Sequence, residues 1–282
     1  MLVLFALVVG AYASEQDPAY WLEHMRTGDS AARKEAREAL IGLGGAAVPA
    51  LIEATRDDDD WIRWEAVNAL GAIAFTDPEP VIPAIPVLVE RALTDVNPHP
   101  RWRSLWALAV FPDEVVQAQV IPRLREGLKS QAPDMVWNAT VALAYFRQPE
   151  AADLLNWGIH APDGFRQWEA VYCLGMVHNA QSVSLLMEVV TALDRYQSRL
   201  RQEAANTLGK IGDPQAIPAL VTALADPEPG VRWRAAAALA KCGDPSVVTA
   251  IEAALAVEED PFARKQMREA IERLKTEVEE GP

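Results

Sequence analysis

Arg201-Gln-Glu-Ala-Ala-Asn-Thr-Leu-Gly-Lys-Ile-Gly212 is a second copy, with few changes, of Arg63-Trp-Glu-Ala-Val-Asn-Ala-Leu-Gly-Ala-Ile-Ala74. With the first small residue of the motif as anchor, copies fall at Ala36, Ala66, Ser104, Ala139, Ala170, Ala204, Ala235 and, less cleanly, Met267. The steps between them are 30, 38, 35, 31, 34, 31 and 32 residues. A near-constant period in this range marks a helical solenoid, because units this short bury their apolar stripes only by stacking.

The columns of the repeat say what is buried. Three residues after the anchor stand Ala39, Ala69, Ala107, Ala142, Cys173, Thr207, Ala238 and Ala270; four after it stand seven leucines and Ile271. Positions 0, 3, 4 and 7 share one face of an α-helix, here called helix A. Small residues at two of these positions let a neighbouring helix approach closely. Helix A ends in Gly or Gly-Asp-Pro, as at Gly212-Asp213-Pro214 and Gly243-Asp244-Pro245, which suits a left-handed cap followed by a residue that cannot continue the helix. A second helix, B, begins with Pro in its first turn, as in Ile217-Pro-Ala-Leu220 and Val48-Pro-Ala-Leu51. Acidic links such as Asp57-Asp58-Asp59-Asp60 then supply the cap of the next helix A. The irregular steps suggest loop insertions at Asn97-Pro98-His99-Pro100 and Phe111-Pro112-Asp113.

The expected fold is therefore an all-α solenoid of about seven stacked helical hairpins, with a half-repeat near residues 18–27 and a capping helix from about Pro261 to Glu280. With no credible linker, residues 18–280 read as one domain. The Arg three before the anchor (Arg33, Arg63, Arg101, Arg201, Arg232, Arg264) is expected to pair with acidic loop residues.

Arg201 to Leu220, read as Arg-x-x-Ala-x-x-Ala-Leu-Gly-x-Ile-Gly-Asp-Pro-x-Ala-Ile-Pro-Ala-Leu, resembles the short HEAT-like repeat of the phycobilisome lyase type. The resemblance covers nearly everything after residue 18. It implies the fold and leaves function open, since such repeats serve many roles.

The 282 residues carry 26 Lys and Arg against 40 Asp and Glu, a net charge of −14, which argues against a nucleic-acid partner. Two Cys exclude a disulfide scaffold; Cys173 and Cys242 occupy buried columns two repeats apart, too far to bond. The nine Trp stand out. Two before the anchor are Trp64, Trp102, Trp137, Trp168 and Trp233; two after it are Trp106 and Tyr172. At about 100° per residue these positions face away from the packed stripe. In similar HEAT-like solenoids that face lines the concave surface, so the resemblance implies an aromatic groove of these seven residues. Glu65, Arg103, Glu169 and Arg234 beside them suit a protein or peptide partner. Trp and Tyr are the usual anchors of interfaces. Trp21, Trp61 and Trp157 lie off the column and read as packing or loop anchors. A stacked Trp ladder that only stiffens the solenoid is the competing account.

Deoxyhypusine hydroxylase has a similar repeat and is an enzyme; the resemblance would place its metal-binding His-Glu pairs two and one before the anchor. Those pairs here read Lys34-Glu35, Trp64-Glu65, Trp102-Arg103, Trp137-Asn138, Trp168-Glu169, Gln202-Glu203, Trp233-Arg234 and Lys265-Gln266, with no His. His24, His99, His160 and His178 are scattered. The expectation is no di-iron site, no cofactor, no catalytic residue and no enzyme, with the remaining Glu solvated and a scaffold function through the groove. Bilin lyase subunits share the repeat, so a tetrapyrrole-handling role is one alternative, and stacking of sugars on Trp is another. Asn138-Ala-Thr140 matches a glycosylation sequon, but mid-helix.

Met1 to Ala13 is apolar, ends in Ala11-Tyr12-Ala13 and has no Lys or Arg before the run. It fits a signal peptide, hence export to periplasm or exterior, with a cytoplasmic location as the alternative. At 13 residues it is too short to span a bilayer as a helix, and no later run of about 18 apolar residues exists.

Overall fold

Asp59 accepts the backbone N–H of Trp61 at 2.9 Å and opens the helix that carries the first clear copy of the motif. The same device starts other A helices at Asp29, Asn97 and Asp163. At the far end, Gly212 takes φ 70° and donates its N–H to the Leu208 carbonyl at 2.9 Å, the left-handed cap expected there. The computed structural model describes residues 17–242 and 244–280. The expected signal peptide and Gly243 lie outside them. The described residues are helical, with no strand among them.

The chain forms two compact units, divided between Ala142 and Leu143. In the first, α1 (Pro18–Thr27) is the expected half-repeat. A helices α2 (Ser30–Leu43), α4 (Asp60–Thr76) and α6 (Pro98–Ala109) pack side by side; B helices α3 (Val48–Ala54), α5 (Ile85–Thr94) and α7 (Ile121–Gly127) form the second layer. Helix α8 (Pro133–Tyr145) carries the boundary. In the second unit, α10 (Gly164–Val177), α12 (Ser198–Ile211), α14 (Pro229–Cys242) and α16 (Pro261–Glu280) pack in order as A helices. Helices α9 (Ala151–Ile159), α11 (Ala180–Thr191), α13 (Ile217–Ala223) and α15 (Val248–Val257) are their B partners.

The buried stripe is the expected one. Ala36, Ala66, Ala139, Ala170, Ala204 and Ala235 have no exposed surface, nor have the leucines four residues on. Small residues also work in a column the repeat hides: a Cβ added at Gly71 would strike the Trp106 ring and come within 3.0 Å of Ala107, and one at Gly209 would lie 2.9 Å from the Ala238 Cα. Five after the anchor thus meets three after the next, which sets how closely adjacent A helices lie.

One loop expectation is corrected and the other stands, since Phe111 and Pro112 form a non-helical break between α6 and the turn that begins at Asp113. Asn97-Pro98-His99-Pro100 is the start of α6: Asn97 Oδ1 accepts the His99 N–H at 2.9 Å, and the prolines need no bond in the first turn. The extra residues of the long step form the 3₁₀ turn Glu79–Ala84, and those of the next form Asp113–Val115 and a π turn over Val116–Val120. Cys173 is buried, whereas Cys242 is half-buried, and the two are not bonded to each other. Asn138 is 8% exposed and donates to the Leu93 carbonyl at 2.8 Å, so the sequon serves packing.

The arginine column splits. Arg63 binds Asp95, Arg201 binds Asp226 and Arg232 binds Glu258, each through two nitrogens at 2.6–3.0 Å. Arg33 and Arg264 instead donate to backbone carbonyls, of Gly28 and of Glu258.

Candidate functional site

The residue five before the anchor lies about 60° from the Trp column on the same helix face. It is Trp61, Phe165 and Phe262 in three repeats. All three are surface residues, 43%, 49% and 55% exposed. Each lies against a Trp of the column. Trp61 and Trp64 have ring centroids 5.0 Å apart at 32°; Phe165 and Trp168 are 6.1 Å apart at 33°, and Trp168 stacks on Tyr172 at 5.4 Å and 13°. Phe262 meets Trp233 edge-on at 5.4 Å. Trp61 is therefore no internal packing anchor. Its signal in the sequence is an aromatic three residues before a column Trp, read on a column that carries no burial.

These pairs border open clefts. In the first unit a cleft of about 450 Å³ has Trp61, Trp64 and Glu65 of α4 on one side and Arg33, Lys34 and Arg37 of α2 on the other. In the second unit a cleft of about 460 Å³ has Phe165, Gln167 and Trp168 of α10 facing Gln197, Arg199 and Leu200 at the start of α12. A smaller recess of about 100 Å³ lies beside Trp233 and Arg234.

The other proposed groove residues are placed differently. Trp137 is 4% exposed and so is buried. Trp102 is half-buried. Trp106 packs on Gly71 with the Arg103 guanidinium 3.7 Å above its ring. Polar residues one before the anchor reach back to the preceding A helix: Glu65 accepts Arg37 at 3.3 Å, Arg103 donates to Asn68, and Arg234 donates to Gln202 at 3.0 Å. Arg234 also covers the Trp233 ring at 4.1 Å, and burial lowers its pKa. Glu65 and Glu169 are 2% and 1% exposed, so the expected solvation holds for Glu35 and fails for these two.

HEAT repeats match residues 18–109, 85–175 and 191–272. The chain belongs to the HEAT repeat family. The match is to HEAT repeats in general and does not single out the phycobilisome lyase type. Among solved structures, Escherichia coli YibA shares the fold at a TM-score of 0.56, with 17% identity over 95% of this chain and 96% of that one. A structure described as Kap95p binding RanGDP matches at a TM-score of 0.62, with 14% identity over 91% of this chain and 40% of that one. In sequence, the HEAT repeat chain is 29% identical to deoxyhypusine hydroxylase of Homo sapiens over 222 residues, 71% of this chain and 72% of the human protein. It is 29% identical to the enzyme of Rattus norvegicus over 191 residues, 62% of this chain and 63% of the rat protein. Similarity to a hydroxylase overturns the expectation that the chain is not an enzyme.

The donor set does not fit a His-Glu di-iron centre. Trp, Lys or Gln fills each position where the resemblance would need His. Among the described residues, His, Cys, Asp and Glu form no group of three or more placed to hold a metal ion. Among the same residues, no helix is long and apolar enough to cross a membrane.

Proposed function

We propose that this HEAT repeat chain binds a protein or peptide partner through the aromatic starts of its A helices, with Trp61 and Trp64 in the first unit and Phe165, Trp168 and Tyr172 in the second. The observation that carries it is the exposed Trp61 ring lying over Trp64 at the wall of an open cleft. Large aromatic surface left in water at such a place favours a partner that covers it. Of the seven groove residues, Trp64, Trp168, Tyr172 and Trp233 keep that role in the proposal. Glu65 and Arg234 line clefts beside these aromatics, and Trp102, Trp106, Trp137, Arg103 and Glu169 line none of the three, so they take no contact role. Trp61→Ala and Phe165→Ala test it: the proposal expects affinity for partner or peptide to fall by about tenfold or more, the scale of an aromatic anchor, while the melting temperature stays near wild type. Unchanged affinity in both variants sinks it. Export through residues 1–13 is part of the same proposal, and cell fractionation checks it.

The similarity to deoxyhypusine hydroxylase favours a second reading, in which the chain also acts on what it binds. A bound partner whose mass changes on incubation with the chain, and not on incubation without it, would carry that reading. An unchanged mass would remove it.

A further inference from the structure

We propose that the cleft of the first unit takes an acidic peptide segment bearing an aromatic or long aliphatic side chain. This rests on the aromatic helix starts being contact surfaces and names the chemistry that one of them selects. One wall is the Trp61–Trp64 pair; the other is the exposed side of α2, with Arg33, Lys34 and Arg37. Among the lining residues Glu65 is the one carboxylate, and it is 2% exposed and occupied by Arg37 at 3.3 Å. Three cations against one carboxylate leave the lining at +2, in a chain whose net charge is −14.

The cations are held in different ways. Arg33 Nε donates to the Gly28 carbonyl at 3.1 Å, which fixes its stem. Lys34 has a side chain 68% exposed, and its ion-pair partner is Glu38 at 3.8 Å, itself exposed and one helical turn away. Such an exposed pair contributes little and yields readily to a better-placed carboxylate. An anion is therefore drawn to this cleft and repelled by most of the remaining surface, which gives orientation as well as affinity. The indole faces would attract a cationic ligand, but three cations of the protein already stand across from them. A nucleic acid extends well beyond one cleft and meets the acidic remainder of the chain. A volume of about 450 Å³ lies in the range of small-ligand clefts, about 300–1,000 Å³, enough for one large side chain and its flanking residues.

The test is selection of random dodecapeptides on the full chain, followed by fluorescence-polarisation binding of the enriched peptides to wild type, Lys34→Glu and Trp61→Ala. Both altered residues are exposed, and melting curves verify that the variants fold. The expected result is enrichment of peptides with net negative charge and an aromatic or aliphatic residue. Their affinity should fall about fivefold or more in each variant and fall again as salt rises from about 50 to 300 mM. Enriched peptides that are neutral or basic, lose affinity in Trp61→Ala and ignore Lys34→Glu overturn this inference and leave the aromatic contact surface standing. Peptides indifferent to Trp61→Ala overturn this inference; indifference to Phe165→Ala as well, or no enrichment at all, overturns both. Competition by polyphosphate or an oligonucleotide more strongly than by the acidic peptide also overturns it.

Discussion

Arg63 and Asp95, 32 residues apart, lie carboxylate to guanidinium with two bonds of 2.8 and 3.0 Å, and both are almost wholly buried. The arginine starts an A helix, and the aspartate ends the hairpin that follows it. Arg63 also donates to the carbonyls of Asp57 and Asp58, so one side chain ties together the loops on both sides of the repeat. Arg201 repeats the arrangement with Asp226 and the Tyr196 carbonyl in the second unit. A planar guanidinium supplies the fork that a lysine could not.

Removing one partner strands the other in the interior. Asp95→Ala should cost about 3–5 kcal/mol, the scale for breaking a buried pair, and Asp226→Ala a similar amount. Replacing both partners, as Arg63→Met with Asp95→Leu, should recover much of that loss, because no buried charge is left alone. Urea denaturation of the three variants checks this. A loss below about 1 kcal/mol for Asp95→Ala, the level of an exposed pair, would contradict that burial.

The pair between Arg232 and Glu258 adds a pH dependence. Both guanidinium bonds to Glu258 measure 2.6 Å, and the carboxylate also accepts the N–H groups of Glu259 and Asp260 at 3.0 Å. Arg232 first, with the backbone N–H groups behind it, holds the carboxyl below its ordinary 4.5 against the opposing effect of burial. A pKa lower in the folded than in the unfolded chain contributes stability above the unfolded value, and that stability is lost as pH falls through the folded value. The stability gap between wild type and Glu258→Gln should therefore be full near pH 7 and shrink as pH drops below about 4.5. Urea midpoints measured from pH 7 down to pH 3 give the gap directly; a gap that stays constant, or widens in acid, refutes the assignment.

The Gly71 position makes a packing prediction. Its missing Cβ leaves room for the Trp106 ring and the Ala107 methyl of the next A helix. Gly71→Ala gains helix propensity, up to about 1 kcal/mol, but overpacks a contact between helices, which costs about 1–3 kcal/mol. The contact should win, giving a net loss, and Trp106→Leu in the same chain should soften it by freeing the space. Thermal unfolding of the single and double variants decides; a stabilised Gly71→Ala would mean that the two helices leave room for a methyl group between them.

The interior of this fold is legible in the sequence and its surface much less so. Ala66, Leu70 and Ile73 announce their burial through spacing alone, because the stripe must face the neighbouring helix whatever the loops do. Pro261 and Glu280 bound the last helix where the pattern places them. The site is harder, since a Trp two before the anchor lies at the edge of the contact between successive A helices. Whether it is covered depends on what its neighbours carry. Trp64 has an exposed Trp61 beside it, whereas Trp137 is buried, and nothing in the column itself separates the two. The buried Glu65 is equally hidden, because its partner Arg37 stands 28 residues away in the preceding repeat.

Trp61 and Trp137 differ in burial and therefore in what their removal costs. Trp137 is 4% exposed, and its truncation removes a large buried ring. Trp137→Ala should lose about 3–5 kcal/mol, the cost of removing a large aromatic from a core. Trp61 is 43% exposed and packs chiefly on one neighbouring ring. Trp61→Ala should cost about 1 kcal/mol or less, the scale of an aromatic pair at the surface. Guanidinium denaturation of the two variants in parallel distinguishes the roles. Equal losses would mean that the aromatic column is a single stiffening ladder, and the contact surface assigned to Trp61 and Trp64 would lose its basis.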